Sequence, residues 1–425
     1  MKSIDGLVWE KRWRLNNGQD DSFVVPFATL RPVNIVSHGE KEFSYGHYGI
    51  HLGQMDRLTF LGLAKQKIIA TFIDCREGSP TARVRHVEEI YPSSERTLCI
   101  PPGVAHRFDF LENVFTLNDY KLFLPDPENW VNGDVLWRQE NDVINLPDDI
   151  DPDTVPLYKP NIHEASEEYY SYIRRIQMTN LSRGDLEYPS HTEFTDTEGK
   201  KFNLWLKRKV ALPPDVFNDS SHLASEILGV RWETHLFISS GENSGFTILP
   251  DQAPFYIVDH GEVSYAHDSY GIHVGQEDRL TFVGPSSQRV KLHLLDCRKT
   301  SETLHKKVVL EFQPSAKRFL VIPPGVAHRF ENFEKVYTFN RAKIYLPPTL
   351  KYYSAVDVID WPEERLPYPI LKPNNIVADE VYYKDQADKQ RRLMMTESNL
   401  ETPTIQLIKN DKGEDVRLVL RKRVR

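Results

Sequence analysis

The chain has 425 residues, a formal net charge of −8, 40% hydrophobic and 27% charged residues. That length predicts two or three globular domains, at about 100–200 residues each. The acidic balance argues against nucleic acid or an anionic membrane as partner, and the short basic runs Lys207–Lys209 and Arg421–Arg423 read as solvated strand ends.

The N-terminal MKSIDGLVWEKRWRLNN has no apolar run behind its charges and does not read as a signal peptide. No stretch reaches the ~18–20 apolar residues of a membrane helix. Cys75, Cys99 and Cys297 are odd in number and form no Cys-x-x-Cys, which argues against a disulfide framework and a zinc ribbon. The expected compartment is a reducing cytoplasm.

Further along, short β-branched and aromatic runs such as KIIATFID and RLTFLG alternate with Gly, Pro, Asn and Asp clusters, which predicts a sandwich or barrel. A helix is predicted over His163–Met178, where Tyr169, Ile173 and Ile176 share a face. A hairpin follows, with its turn at Thr197-Glu198-Gly199. PPDVFNDSS, from Pro213, reads as a linker.

The second half then repeats the first. YGIHLGQMDRLTFLG at Tyr48 returns as YGIHVGQEDRLTFVG at Tyr270, and IPPGVAHRF at Ile100 returns at Ile322. His51 and His273, Asp74 and Asp296, His106 and His328 are each 222 residues apart, so the duplication is colinear. Ala378–Met395 predicts the second helix, and the second hairpin turns at Asn410–Gly413. The expected division is 1–213 and 214–425.

Several residues are candidates for chemistry. Strand alternation puts Gly49, His51 and Gly53 on one face, and Gly271, His273 and Gly275 likewise. Flanking glycines leave the imidazole room for a ligand, although a barrel bend with an incidental histidine reads the same way. Pro101-Pro102-Gly103 turns the chain into a strand that carries His106, as Pro323-Pro324-Gly325 does for His328. A buried histidine bonded to backbone is the plainer reading of these two. Asp74 with Arg76, and Asp296 with Arg298, fit a rim ion pair as well as a substrate contact. Arg57 and Arg279 offer fixed donors for an oxyanion or phosphate. A metal would have to use His51 and His106 with Gln54 or Asp56, and His273 and His328 in the second copy, and no cofactor is expected.

Gly49-Ile50-His51, then Asp74-Cys75-Arg76 through Ser79-Pro80-Thr81, then IPPGVAHRF, resemble in order the motifs of dTDP-4-dehydrorhamnose 3,5-epimerase, a metal-independent cupin-fold family. The second copy keeps the first and third motifs and has Lys299–Thr303 in the middle. The resemblance covers about the central half of each copy. It implies a mainly β protein of two tandem cupin, or jelly-roll, β-sandwich domains; the helix and the β-hairpin extension read from each copy's own sequence lie outside it. It implies His51 and His273 as catalytic bases, Arg57 and Arg279 in place of the family's lysine, and His106 and His328 at the second-motif histidine. Tyr48 and Tyr270 stand where the family has an arginine. The family's tyrosine acid falls on Leu117 and Phe339, which cannot donate a proton. Its histidine-orienting aspartate falls near Trp137–Asp142, where Glu140 and Asp142 compete.

The expected function is therefore a sugar-nucleotide epimerase or isomerase on a dTDP-4-keto-6-deoxy sugar or related carbonyl substrate. An imidazole of pKa about 6.5 suits proton abstraction beside the keto group. Arg57 and Arg279 would stabilise the enolate, and Tyr48, Tyr270, Tyr120 or water would return the proton. His106, His328, Asp74, Asp296, Arg76, Arg298, Gln54 and Gln276 are the expected substrate contacts. The alternatives are a metal-dependent cupin dioxygenase or isomerase and a non-catalytic carbohydrate-binding double cupin. The partner is a small molecule, and the fused copies would form an internal pseudo-dimer, with a homodimer as a further option.

Overall fold

The computed structural model describes residues 3–12, 14–16, 23–27, 31, 33–125, 143–173, 185–195, 201–211, 225–239, 245–249, 255–348, 358–395, 401–409 and 415–423. The chain forms two compact units. The first gathers residues 1–12, 31–216 and 236–251, the second 13–30, 217–235 and 252–425. The expected boundary at 213 and 214 lies outside the described residues.

Eight strands build the first sandwich. They are β1 Val33–Ser37, β2 His47–His51, β3 Gln54–Leu61, β4 Ile68–Asp74, β5 Arg85–Ile90, β6 Arg96–Ile100, β7 Val104–Asp109 and β8 Phe115–Asn118. They pair as a nested antiparallel hairpin, β1 with β8, β2 with β7, β3 with β6 and β4 with β5. Contacts of β8 with β3 and of β7 with β4 roll this hairpin into two sheets. That winding is the jelly roll. Leu58 and Phe60 of β3, Ala70 and Phe72 of β4, and Val104 and Phe108 of β7 meet in the core between the sheets.

The second sandwich repeats the winding. Its strands are β9 Phe255–Asp259, β10 Ser269–His273, β11 Gln276–Val283, β12 Val290–Asp296, β13 Lys307–Phe312, β14 Ser315–Ile322, β15 Val326–Glu331 and β16 Tyr337–Asn340. The nested pairs are β9–β16, β10–β15, β11–β14 and β12–β13. Leu280, Phe282, Leu292, Leu294 and Phe330 form its core.

Linear halves do not anticipate how the sheets end. In the first unit, β1 pairs with Gly245–Leu249, which pairs in turn with Leu236–Ser239. In the second unit, β9 pairs with Phe23–Phe27, which pairs with Leu15–Asn16. Each unit thus takes the two strands at one end of this sheet from the other half of the sequence. An open strand edge invites mispairing, and the exchange covers two of them. Val25 is fully buried, and Phe27 stacks on Phe255 at 4.6 Å between ring centres.

The predicted helices form over 167–173 and Glu380–Met395, while residues 174–178 lie outside the described residues. Ser166 Oγ and Asp379 Oδ1 accept from the backbone N–H groups of Tyr169 and Tyr382, which caps both N-termini. The predicted hairpins are Asp185–Thr195 with Lys201–Ala211 and Glu401–Lys409 with Asp415–Arg423. Their turns lie outside the described residues. The second hairpin joins the site-bearing sheet, running parallel to Val358–Pro362. Among the described residues no helix is long and apolar enough to cross a membrane.

Candidate functional site

Each site grows from the tight connection between two neighbouring strands. His51 ends β2, and two residues later β3 starts on the other sheet with Gln54. Alternation along β3 sends Gln54, Asp56, Leu58 and Phe60 into the sandwich, so an aspartate stands in an otherwise apolar inward stripe. The Pro101-Pro102-Gly103 turn brings β7 alongside. Gly103 N–H donates to His51 O at 2.7 Å, and its carbonyl accepts from Cys75 N at 3.1 Å. His106 then lies opposite Gly49 in the sheet.

The result is a group of two histidines around one carboxylate. Asp56 Oδ2 lies 3.1 Å from His106 Nε2 and 3.7 Å from His51 Nε2. Its Oδ1 accepts from Gln54 Nε2 at 2.6 Å and Asn118 Nδ2 at 2.9 Å. Gln54 Nε2 is also 3.5 Å from His51 Nε2, and His106 Nδ1 is 3.2 Å from Val104 O. The second unit repeats every contact. Asp278 Oδ2 lies 3.3 Å from His328 Nε2 and 3.6 Å from His273 Nε2. Gln276 and Asn340 donate to Asp278 Oδ1 at 2.7 and 2.8 Å, and His328 Nδ1 is 3.3 Å from Val326 O. The side chain of Asp56 is 5% exposed against 16% for His51, so the histidine edges reach solvent while the carboxylate lies beneath them.

Burial opposes the charge on Asp56. The nearby His51, the hydrogen bond and charge of His106, and the Asn118 amide outweigh it and hold the carboxyl well below the usual range. Burial pushes His328 below its ordinary value, against the pull of Asp278 and the Val326 carbonyl, and His273 adds to the depression. Glycine supplies the room expected of it. A Cβ on Gly49 would meet only Val143 Cγ1 at 3.6 Å, and one on Gly271 would meet Val358 Cγ1 at 3.5 Å and His328 O at 3.9 Å.

The structure thus gathers His51, His106 and Gln54, and their counterparts His273, His328 and Gln276. It places the other expected residues elsewhere. Tyr48 and Tyr270 alternate with the site histidines and point to the opposite face, into separate apolar clusters. Arg57 likewise lies on the face of β3 opposite Asp56. It binds Asp119 at 3.2 Å and Glu10 at 2.8 Å. Arg279 binds Glu277 at 3.3 Å and lies over the Phe319 ring. An enolate at His51 is out of reach of arginines on that face. Tyr120 is buried beside the helix residues Tyr169 and Tyr170.

Asp74 and Arg76 form a clasp. Asp74 is fully buried and accepts from Arg76 Nε, Arg76 Nη2, Ser79 Oγ and Thr81 Oγ1 at 2.6–2.8 Å. Asp296, Arg298, Ser301 and Thr303 repeat it. The Arg76 stem packs over Gly103, whose φ is +83°, so the clasp fixes the turn that presents His106. With its oxygens so engaged, Asp74 is structural. Trp137, Glu140 and Asp142 lie outside the described residues.

Asp278, Asn118 and Asn340 were missed, and Asp56 was named only as a possible metal partner. Its signal was the inward stripe itself, since an aspartate is seldom buried without a task.

Do the residues present fit a metal ion? Ligand atoms about 2.0–2.2 Å from a tetrahedral ion lie roughly 3.4 Å from one another. The carboxylate–histidine separations of 3.1 and 3.7 Å in one unit, and 3.3 and 3.6 Å in the other, bracket that spacing. In each unit the three side chains bring their ligand atoms within 4.8 Å of one another. The donor set fits a borderline transition metal.

Fold and site define a mainly β protein, a tandem pair of cupin-type jelly rolls with one histidine–carboxylate–histidine group in each. No family model matches the chain, and no curated protein does. Among solved structures, the chain aligns with vicilin from Capsicum annuum at 11% identity over 77% of this chain and 79% of that one, TM-score 0.22. It aligns with oxalate decarboxylase from Bacillus subtilis at 9% identity over 80% and 77%, TM-score 0.24. A dTDP-4-dehydrorhamnose 3,5-epimerase from Elizabethkingia anophelis NUHP1 aligns at 17% identity over 27% and 81%, TM-score 0.17. The fold assignment rests on the strand order above, not on these scores.

Proposed function

We propose that each unit holds a divalent transition-metal ion between two histidines and an aspartate, and that the chain is an enzyme acting on a small carbonyl-bearing substrate at the sandwich mouth. The residues are His51, Asp56 and His106 in one unit and His273, Asp278 and His328 in the other. One observation carries the reading. His106 Nδ1 faces the Val104 carbonyl, so it carries the ring proton. Its Nε2 then turns a lone pair on Asp56 Oδ2 at 3.1 Å. Two acceptors that close repel unless a cation lies between them.

A bound metal supplies Lewis acidity that polarises a carbonyl oxygen. The protein residues do the rest. The Val104 carbonyl fixes the His106 tautomer, and the Gln54 and Asn118 amides fix the carboxylate plane. The open Gly49 floor admits the substrate beside the two rings.

The same contact favours a second reading, in which the cation is a proton. His106 is then an imidazolium paired with Asp56, and His51 abstracts a proton beside the keto group of a dTDP-4-keto-6-deoxy sugar or related substrate. Metal content per chain of protein purified without an affinity tag separates the two. About two ions per chain, lost together in Asp56→Asn/Asp278→Asn, supports the metal reading. Metal-free protein that exchanges solvent deuterium into a keto sugar overturns it in favour of proton transfer. Binding of sugar with neither metal nor exchange leaves a carbohydrate-binding double cupin.

A further inference from the structure

The two triads match contact for contact, but the side chains beside them do not. In the first unit, one row crosses the site-bearing sheet through Asn145, Gly49, His106, Phe72 and His86, each opposite the next. In the second, the row runs through Asp360, Gly271, His328, Leu294 and Val308. Residues opposite one another across a sheet share a face. Glycine contributes no side chain, so position 360 flanks the same open floor as His328. Val358, two residues before it, is opposite His273.

Asp360 is therefore diagonal to His273 on the site's own face, at a partly buried position. Its carboxyl is pushed up by burial and pulled down by the charge of His273, so the two groups feel each other. Asn145, in the matching place, is neutral and exposed. Among the described residues, the first triad has one carboxylate around it and, two places along the row from His106, a third imidazole, that of His86. Around the second, among the described residues, there are two carboxylates, and aliphatic side chains replace Phe72 and His86. Like charge gathered in a half-buried site raises its attraction for a cation.

We propose that the two sites are unequal, with Asp360 making the second unit the tighter seat for a divalent cation and Asn145 leaving the first the weaker. This rests on the metal reading above and deepens it. Metal ligands are steadied and made more basic by groups just outside the coordination shell, and loss of such a group weakens binding about 10–100-fold.

The test is calorimetric titration of metal-stripped full-length protein with Zn²⁺. Two classes of site are expected, the weaker removed by Asp56→Asn and the tighter by Asp278→Asn. Asp360→Asn should weaken only the tight class, by about 10–100-fold. Asn145→Asp should tighten the weak class, a gain that misfolding cannot produce. Equal affinities in the unmodified chain overturn the inequality, and two classes that neither substitution moves overturn the role of Asp360 and Asn145 in it. Absence of any binding overturns it together with the metal reading.

Discussion

Lowering the pH from 7 to 5 should destabilise the first unit through His38. The residue is 3% exposed, and its Nε2 meets Thr116 Oγ1 at 3.2 Å. Burial pushes its pKa down to about 3. In the unfolded chain a histidine titrates near ~6.5. Between those values the unfolded state holds the proton and the folded state does not. Stability is therefore intact above pH ~6.5 and falls as the pH drops toward 3. At about 1.4 kcal/mol per pH unit, the loss is about 2 kcal/mol at pH 5 and approaches ~5 kcal/mol near pH 3. His38→Gln removes the titrating ring and can keep a hydrogen bond to Thr116. The assay is urea unfolding at pH 7 and pH 5, read by hydrogen exchange in peptides of β1–β8. The variant should lose about 2 kcal/mol less than the parent on acidification. Identical pH dependence in both would refute the argument that His38 is held neutral by burial.

Three further outcomes follow from packing. Gly103→Ala places a Cβ 2.6 Å from Arg76 Cγ at a φ of +83°. It should cost at least ~1–2 kcal/mol in urea unfolding and weaken Zn²⁺ binding in the first unit, because Gly103 anchors His51. Asp74→Asn leaves the Arg76 guanidinium without its buried counter-charge and should cost about 3 kcal/mol; a change under ~0.5 kcal/mol would mean the clasp is dispensable. Phe27→Ala removes a buried ring near the N-terminus, yet it should cost ~3–5 kcal/mol in the second unit. Hydrogen exchange should rise in β9–β16 and stay unchanged in β1–β8.

Much of this was legible in the sequence, because duplication doubles each signal. The jelly roll followed from short strands and ordered motifs, and both site histidines followed from their glycines and the Pro-Pro-Gly turn. Asp56 was hard to weigh because it sits next to Arg57, and the arginine looked the better chemical group. Alternation sets Asp56 and Arg57 on opposite faces of β3, but only the folded register shows that Asp56 is the one facing inward. Tyr48, one residue out of phase with Gly49 and His51, lies on the opposite face in an apolar cluster. Asp360 could not be found by counting, since the spacing from His273 to Val358–Pro362 differs from that between His51 and Val143–Pro147. The strand exchange leaves no mark in a colinear repeat. A strand that completes a distant sheet has the same alternation as one that completes its own.

That exchange also sets a timetable for synthesis. Phe23–Phe27 leaves the ribosome 232 residues before its partner β9 is made. At ~5–20 residues per second the wait is roughly 10–50 s. Over that interval β1 has no neighbour on its outer side either, because Gly245–Leu249 is also still to come. A nascent chain would thus carry two unpaired strand edges through that interval. Chaperone demand during expression should fall on the growing polypeptide more than on the finished one.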